Sequence, residues 1–180
     1  MRFISILRGI NVSGQKKIKM ADLTSLYELL SFRNVVTYIQ SGNVIFDAES
    51  KDKAVLKARI EETIEARYKF HVPVEIRTNG EIENIIKNSP FGSIDLVEDG
   101  TKVLVTFLSS KPEGGKVSEL QKYVAAPEKL CVKGKEVYLY CPNGYGKSKL
   151  SNTFLERKLG VAATTRNWKT VHKLYELSSQ

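Results

Sequence analysis

At 180 residues, 42% hydrophobic and 27% charged, the chain reads as a folded globular protein, neither disordered nor fibrous, long enough for one domain or two small subdomains. No apolar run approaches the roughly 20 residues that cross a bilayer, and residues 2–7 are too short for a signal-peptide core, so a cytoplasmic protein with no membrane partner is expected. The net charge of +8 favours anionic partners and says nothing about fold.

Arg2-Phe3-Ile4-Ser5-Ile6-Leu7 is a short apolar run suited to a buried strand, ended by Arg8-Gly9. Met20, Leu23, Leu26, Tyr27 and Leu30 recur at helical spacing and predict an amphipathic helix over 20–30. Residues 35–41 and 44–46 are β-branched and aromatic, and Gly42-Asn43 between them predicts a two-residue hairpin turn of the II′ kind. Ser50 or Asp52 suits the N-cap of a helix carrying Leu56, Ile60 and Ile64 as far as about Tyr68. Residues 73–78 read as a strand, with Pro73 at its start, where a missing N–H is tolerated.

Residues 79–100 read as a linker that holds a short helix over 81–87 and then Ser89-Pro90-Phe91-Gly92. A strand follows over 102–108, a helix over 115–124, and a hairpin of 129–132 with 136–141 around Lys133-Gly134-Lys135. A helix over 148–159 stopped by Gly160, a strand over 161–165 and a helix over 168–177 complete the pattern. Both halves then carry the β-α-β-β-α-β order of the split βαβ arrangement. The expected fold class is α+β: ferredoxin-like subdomains at 1–78 and 101–180, the second with an extra C-terminal helix, joined by the linker 79–100. One continuous mixed sheet is the alternative, since the duplication rests on element order and no residue-level repeat is visible.

The positive charge is local. Residues 1–19 hold five Lys or Arg and no acid, and residues 129–173 hold ten against Glu136 and Glu156. In a split βαβ sheet the end of the first strand shares an edge with the hairpin of the second and third, which would bring Arg8 and Asn11 beside Ser41 and Asn43. In the second half the same topology would bring Asn143-Gly144-Tyr145-Gly146-Lys147-Ser148-Lys149 beside Thr164-Thr165-Arg166-Asn167. A glycine-bearing loop that leads into a helix N-terminus exposes backbone N–H groups to an anion. The ligand-binding candidates are therefore Arg8, Asn11, Ser41, Asn43, Lys147, Ser148, Lys149, Thr165, Arg166 and Asn167, with Lys169 as a further cation nearby.

Taken singly, these residues also have plain structural readings, Arg8 being the hardest to dismiss, since an arginine at the end of a buried strand calls for a carboxylate or a ligand anion. Gly9 and Gly42 make turns, Asn11, Asn43 and Asn167 cap or satisfy loop backbone, and Ser148 is an N-cap. Lys16, Lys17 and Lys19 suit a solvated loop, and Trp168 suits the core. Gly146-Lys147-Ser148 echoes the end of a Walker P-loop, but that pattern needs a glycine where Cys141 stands. Neither His71 nor His172 belongs to a metal-ligand spacing, and Cys131 and Cys141 form no Cys-x-x-Cys pair, so no metal, cofactor or disulfide framework is expected. Cys141, before Pro142-Asn143-Gly144, is readable as a thiol nucleophile and more plainly as a buried strand residue.

These residues carry a resemblance. Arg8-Gly9-Ile10-Asn11-Val12-Ser13-Gly14 with the basic stretch 16–23, and Ser41-Gly42-Asn43-Val44-Ile45-Phe46, are similar to the opening and the hairpin of a bacterial family of uncharacterised proteins, domain of unknown function 1697. Ser148-Lys149 and Ala163-Thr164-Thr165-Arg166-Asn167-Trp168 with Thr170-Val171 resemble its closing motif. Ser13 departs from the usual glycine. The resemblance implies an α+β fold of ferredoxin-like subdomains and implies no reaction.

The first expectation for function is a module that binds a phosphate-bearing or other anionic partner, either nucleic acid or a nucleotide-like small molecule, at the basic polar loops. The alternative is a small-molecule enzyme on an anionic substrate at the subdomain interface, with Arg8 and Arg166 as clamps, though no general base is apparent. An adaptor that pairs through an edge strand is a third class. The sequence does not fix an oligomeric state.

Overall fold

Strand β1 (Arg2–Leu7) is buried from Phe3 to Leu7, on both of its faces, as its near-continuous apolar run requires. It lies between β3 (Asn43–Asp47) and β4 (Val74–Thr78), and β2 (Arg33–Tyr38) adds to β3, every pair antiparallel. The spatial order is β2-β3-β1-β4. Helix α1 (Met20–Leu29) turns Leu23, Leu26 and Tyr27 inward, and α2 (Lys53–Tyr68) turns Leu56, Ile60 and Ile64 inward, so both bury one apolar stripe on one sheet face. Phe46 is the centre of this core, with ring centroids of Phe32, Tyr27 and Phe3 at 4.6, 5.3 and 5.8 Å. The Tyr27 hydroxyl, fully buried, pairs with Ser5 Oγ at 2.7 Å, and burial raises its pKa.

The second half repeats the plan. Strands β5 (Val103–Leu108), β6 (Lys129–Lys133), β7 (Glu136–Tyr140) and β8 (Ala163–Asn167) form an antiparallel sheet in the order β6-β7-β5-β8. Helices α4 (Gly114–Gln121) and α5 (Asn152–Leu159) cover one face, where Leu104, Leu108, Leu120, Val137, Leu139, Leu155 and Leu159 make the core. Both sheets have the order expected of ferredoxin-like subdomains, and the fold is α+β.

Helix α3 (Asn79–Lys87) follows β4 and α6 (Trp168–Ser178) follows β8. The computed structural model describes residues 1–180 as two units, Met1–Glu83 with Leu174–Gln180, and Asn84–Lys173. The end of α6 is tied to the first unit by Asn79 Nδ2 donating to Ser178 Oγ at 2.8 Å and by Tyr175 Oη donating to Glu83 Oε1 at 3.1 Å. The end of α3 is tied to the second by Tyr138 Oη donating to Ile85 O at 3.3 Å. No helix is long and apolar enough to cross a membrane.

Three local expectations are corrected. The β2–β3 turn is not Gly42-Asn43: Tyr38 pairs with Asn43, so Ile39 to Gly42 form the loop, with Ile39 and Gly42 at φ of 51° and 78°. Asn43 is fully buried inside β3 and donates from Nδ2 to Tyr38 O at 3.0 Å. Gly42 is needed there for space as well, because a Cβ would stand 2.6 Å from Ile10 Cδ1.

Helix α4 stops at Gln121 and leaves Lys122 and Tyr123 outside it. Helix α5 starts at Asn152 and not at Ser148. Ser151 is the N-cap, its hydroxyl accepting from Phe154 N, and Leu150 before it is buried in the same cluster as Leu155. Those positions make a hydrophobic staple, which fixes the helix start four residues later than the glycine loop suggested.

Candidate functional site

At the first address, residues 8–19 form an ordered loop. Val12 and Gln15 bridge across Ser13 and Gly14, whose φ angles of 50° and 76° make a type I′ turn. Ser13 adopts the left-handed backbone that glycine adopts freely, so the sequence departure leaves the turn shape intact. Asn11 pins the loop: Nδ2 donates to Ile18 O and to Gln40 O, each at 2.9 Å, and Oδ1 accepts from Ile18 N at 2.9 Å. Leu7 N donates to Gly42 O at 2.8 Å, so Arg8 and Asn11 do lie beside residues 40–43, as topology requires. Arg8 is half-buried, and Asn43 Nδ2 also donates to Ser41 Oγ at 3.1 Å. Lys16, Lys17 and Lys19 are all exposed, and Lys16 Nζ donates to His71 O at 2.7 Å. Asn11 and Asn43 have their amides engaged in holding backbone.

At the second address the residues part. Tyr145 Oη donates to Thr165 Oγ1 at 3.3 Å, which joins the glycine-bearing segment to β8. Thr165 Oγ1 also meets Asn152 Oδ1 at 2.9 Å and Thr106 Oγ1 at 2.8 Å. Arg166, next along the strand, points to the opposite face by strand alternation and is buried, its Nη1 donating to Thr165 O at 2.9 Å. Burial pulls its guanidinium down to about 10, so it is a cation at neutral pH. Asn167 Oδ1 accepts from Thr170 N at 2.9 Å and caps α6. Of the four expected cations, Arg166 lies on the face of β8 opposite Thr165, and Lys169 lies by Gly100, whose carbonyl accepts from its N–H at 3.1 Å. The loop does not run into a helix N-terminus either. Residues Tyr145–Lys147 form a single 3₁₀ turn, and Ser148 Oγ accepts from Leu150 N at 3.0 Å in the extended stretch before α5.

Lys147 and Lys149 instead reach a cleft that sequence reasoning missed. It has a volume of about 780 Å³ and is walled by residues 122–128 on one side and by Pro142, Asn143, Lys147 and Lys149 on the other. Lys122, Lys147 and Lys149 are exposed along it, against one half-buried carboxylate, Glu128. The unit that holds it has fifteen Lys or Arg against eight acids, a net of +7, so nearly all of the chain's excess charge is here. Tyr123 stands in the wall at 37% exposure, edge-on to Phe154 with centroids 5.3 Å apart. The signals that could have shown this were Pro127, which argues against a helix running up to it, and the adjacent pair Lys122-Tyr123.

Cys141 is fully buried beside the cleft, and burial pushes its thiol pKa up while a hydrogen bond with Ser148 offsets part of that, so the thiolate is disfavoured. His172 packs on Trp168, ring centroids 5.3 Å apart, and burial lowers its pKa, which keeps it neutral near pH 7. Trp168 itself is 2% exposed. No group of three or more His, Cys, Asp or Glu is placed to hold a metal ion. The cleft's chemistry is that of exposed ammonium donors beside one carboxylate and one aromatic ring.

The conserved bacterial protein SP0830 from Streptococcus pneumoniae has a similar structure, with a TM-score of 0.74 over 98% of each chain at 24% identity, a likeness of fold. Among curated proteins none matches. The family described as Protein of unknown function (DUF1697) matches residues 1–138, which include Lys122 and Tyr123 and stop short of Lys147. The chain belongs to that family of unknown function.

Proposed function

We propose that this protein is a binding module for a phosphate-bearing ligand, taken in the cleft between residues 122–128 and 142–149. The observation that carries the reading is the cleft's lining: three exposed lysines and one carboxylate around about 780 Å³, in the unit of net charge +7. That size lies in the range of small-molecule sites, about 300–1,000 Å³. Lysines are compact charges with three rotatable donors each, which suits phosphate oxygens without demanding one planar geometry. Clustered like charges repel one another, so the cleft favours an anion that offsets them. Nucleic acid and phosphate-bearing small molecules both fit this chemistry.

Fluorescence polarisation with a labelled single-stranded oligonucleotide and a labelled nucleoside triphosphate, repeated across a salt series, tests the reading. Three phosphate contacts on a single strand give a slope of log affinity against log salt of about −2. The combined variant Lys122→Gln, Lys147→Gln, Lys149→Gln is expected to flatten that slope and to weaken binding tenfold or more, an effect on the order of 1.4 kcal/mol. The combined variant Lys17→Gln, Lys19→Gln in the first unit is expected to leave both unchanged. Salt-independent binding, or equal losses in the two variants, would overturn the assignment.

A further inference from the structure

We infer that the ligand of the cleft carries an unpaired nucleobase and that Tyr123 is the surface on which that base stacks; this rests on the phosphate-binding reading above. Tyr123 is a large aromatic residue left 37% exposed, and it lies in the cleft wall directly after one of the three lysines. An exposed aromatic beside clustered cations is what a nucleotide requires, since the phosphate takes charge and the base takes a flat apolar face.

The ring is also held by residues outside the cleft lining. Phe154 meets it edge-on at 74°, and Lys158 Nζ donates to its hydroxyl at 2.6 Å while standing 4.1 Å from the ring centroid. Phe154 and Lys158 belong to α5 and neither lines the cleft, so both contacts brace the ring from outside it. A braced ring loses little freedom when a base settles on it, which favours binding. A ring exposed in the cleft wall accepts a purine by offset stacking. A simple phosphate or polyphosphate would leave the exposed part of the Tyr123 ring unused.

Two sources share this chemistry, a free nucleotide and a single strand. The test uses an oligonucleotide carrying 2-aminopurine, the 2-aminopurine nucleoside triphosphate, and an abasic strand of equal charge, each with the full chain. Stacking of one base should make the base-bearing strand bind roughly tenfold tighter than the abasic one and should quench the 2-aminopurine emission. Tyr123→Leu is expected to bring that ratio to near one and to abolish quenching while the salt slope stays as in the parent. Tyr123→Trp, which keeps a flat ring, is expected to retain both. Quenching of the triphosphate as strong as that of the strand assigns a nucleotide, and quenching of the strand alone assigns single-stranded nucleic acid. Equal affinity for the base-bearing and abasic strands in the parent protein, or an unchanged ratio in Tyr123→Leu, overturns the inference and leaves phosphate binding standing. Absence of salt-dependent binding to any of the three probes defeats the phosphate reading itself.

Discussion

Ile4 lies opposite Arg77 in the first sheet and Val105 lies opposite Arg166 in the second, so each unit sets a buried arginine on its outer fourth strand, against the third residue of its central strand. Other details agree in the same way. The first residue of each fourth strand donates its N–H to a glutamate of the preceding helix: Val74 to Glu61 and Ala163 to Glu156, both at 2.8 Å. Each of those helices ends on a left-handed residue, Lys69 or Gly160. The units differ in their connections. The first joins α1 to β2 through residues 30–32 and β3 to α2 through residues 48–52, whereas the second uses residues 122–128 and 141–151 for the same joins. Those two lengthened connections are the walls of the cleft. The framework is shared, and the candidate site is what one copy adds to it.

The largest expected effect falls on the residue that anchors the added chain. Leu150, fully buried, is the only link of the stretch 148–151 that belongs to the core cluster, and it staples the start of α5. Leu150→Ala should cost about 3 kcal/mol in urea denaturation, by lost transfer energy and the cavity left behind. It should also weaken phosphate binding, because Lys149 and Lys147 lose their fixed backbone. A loss below about 1 kcal/mol would mean that the connection is held elsewhere.

The framework was more legible in the sequence than the addition. Phe3, Ile4, Ile6 and Leu7 announce a doubly covered strand, and the regular spacing of Leu56, Ile60 and Ile64 announces a helix, because burial imposes period on apolar residues. The duplication showed only in element order: Arg77 and Arg166 share a register, but their neighbours Thr78 and Asn167 cap the following helices with different chemistry, Thr78 through its reciprocal bonds with Glu81 and Asn167 through Oδ1. The cleft was half legible. Lys147 and Lys149 were flagged by charge, whereas Lys122 and Tyr123 sat in what local pattern reads as the tail of a helix. Their exposure depends on where α4 stops and on Tyr123 packing against Phe154, a contact across 31 residues that no local pattern carries. Arg166 and Thr165 were grouped together, whereas adjacent strand positions face opposite sides of the sheet.

The glutamates test whether the shared framework is shared in energy as well as in shape. Glu61→Ala strips the partner from the Val74 N–H, and Glu156→Ala does so for the Ala163 N–H. Each leaves a donor inside the packing of helix on strand, and each should cost about 2 kcal/mol. Urea denaturation of both variants, followed by amide exchange at Val74 and Ala163, reads the loss and its location. A cost in one unit and none in the other would break the equivalence and show that the second copy has moved this load to another contact.

The smallest effect is the most direct comparison, since it exchanges one solution for the other at the same joint. Lys69 ends α2 at φ 62° and Gly160 ends α5 at φ 70°, each donating its N–H to the carbonyl four residues back. Only glycine adopts that backbone without steric cost. Lys69→Gly should therefore stabilise the chain by a few tenths to about 1 kcal/mol, the upper end being reduced by the extra freedom of glycine in the unfolded chain. Gly160→Ala should destabilise by about 1 kcal/mol, chiefly through the backbone, because the added Cβ would meet only the flexible end of Lys116, 3.0 Å away at Nζ. Thermal midpoints of the two variants should move in opposite directions. If Lys69→Gly lowered the midpoint, the lysine side chain would be supplying a contact that outweighs its strained backbone, and the two helix ends would be alike in shape alone.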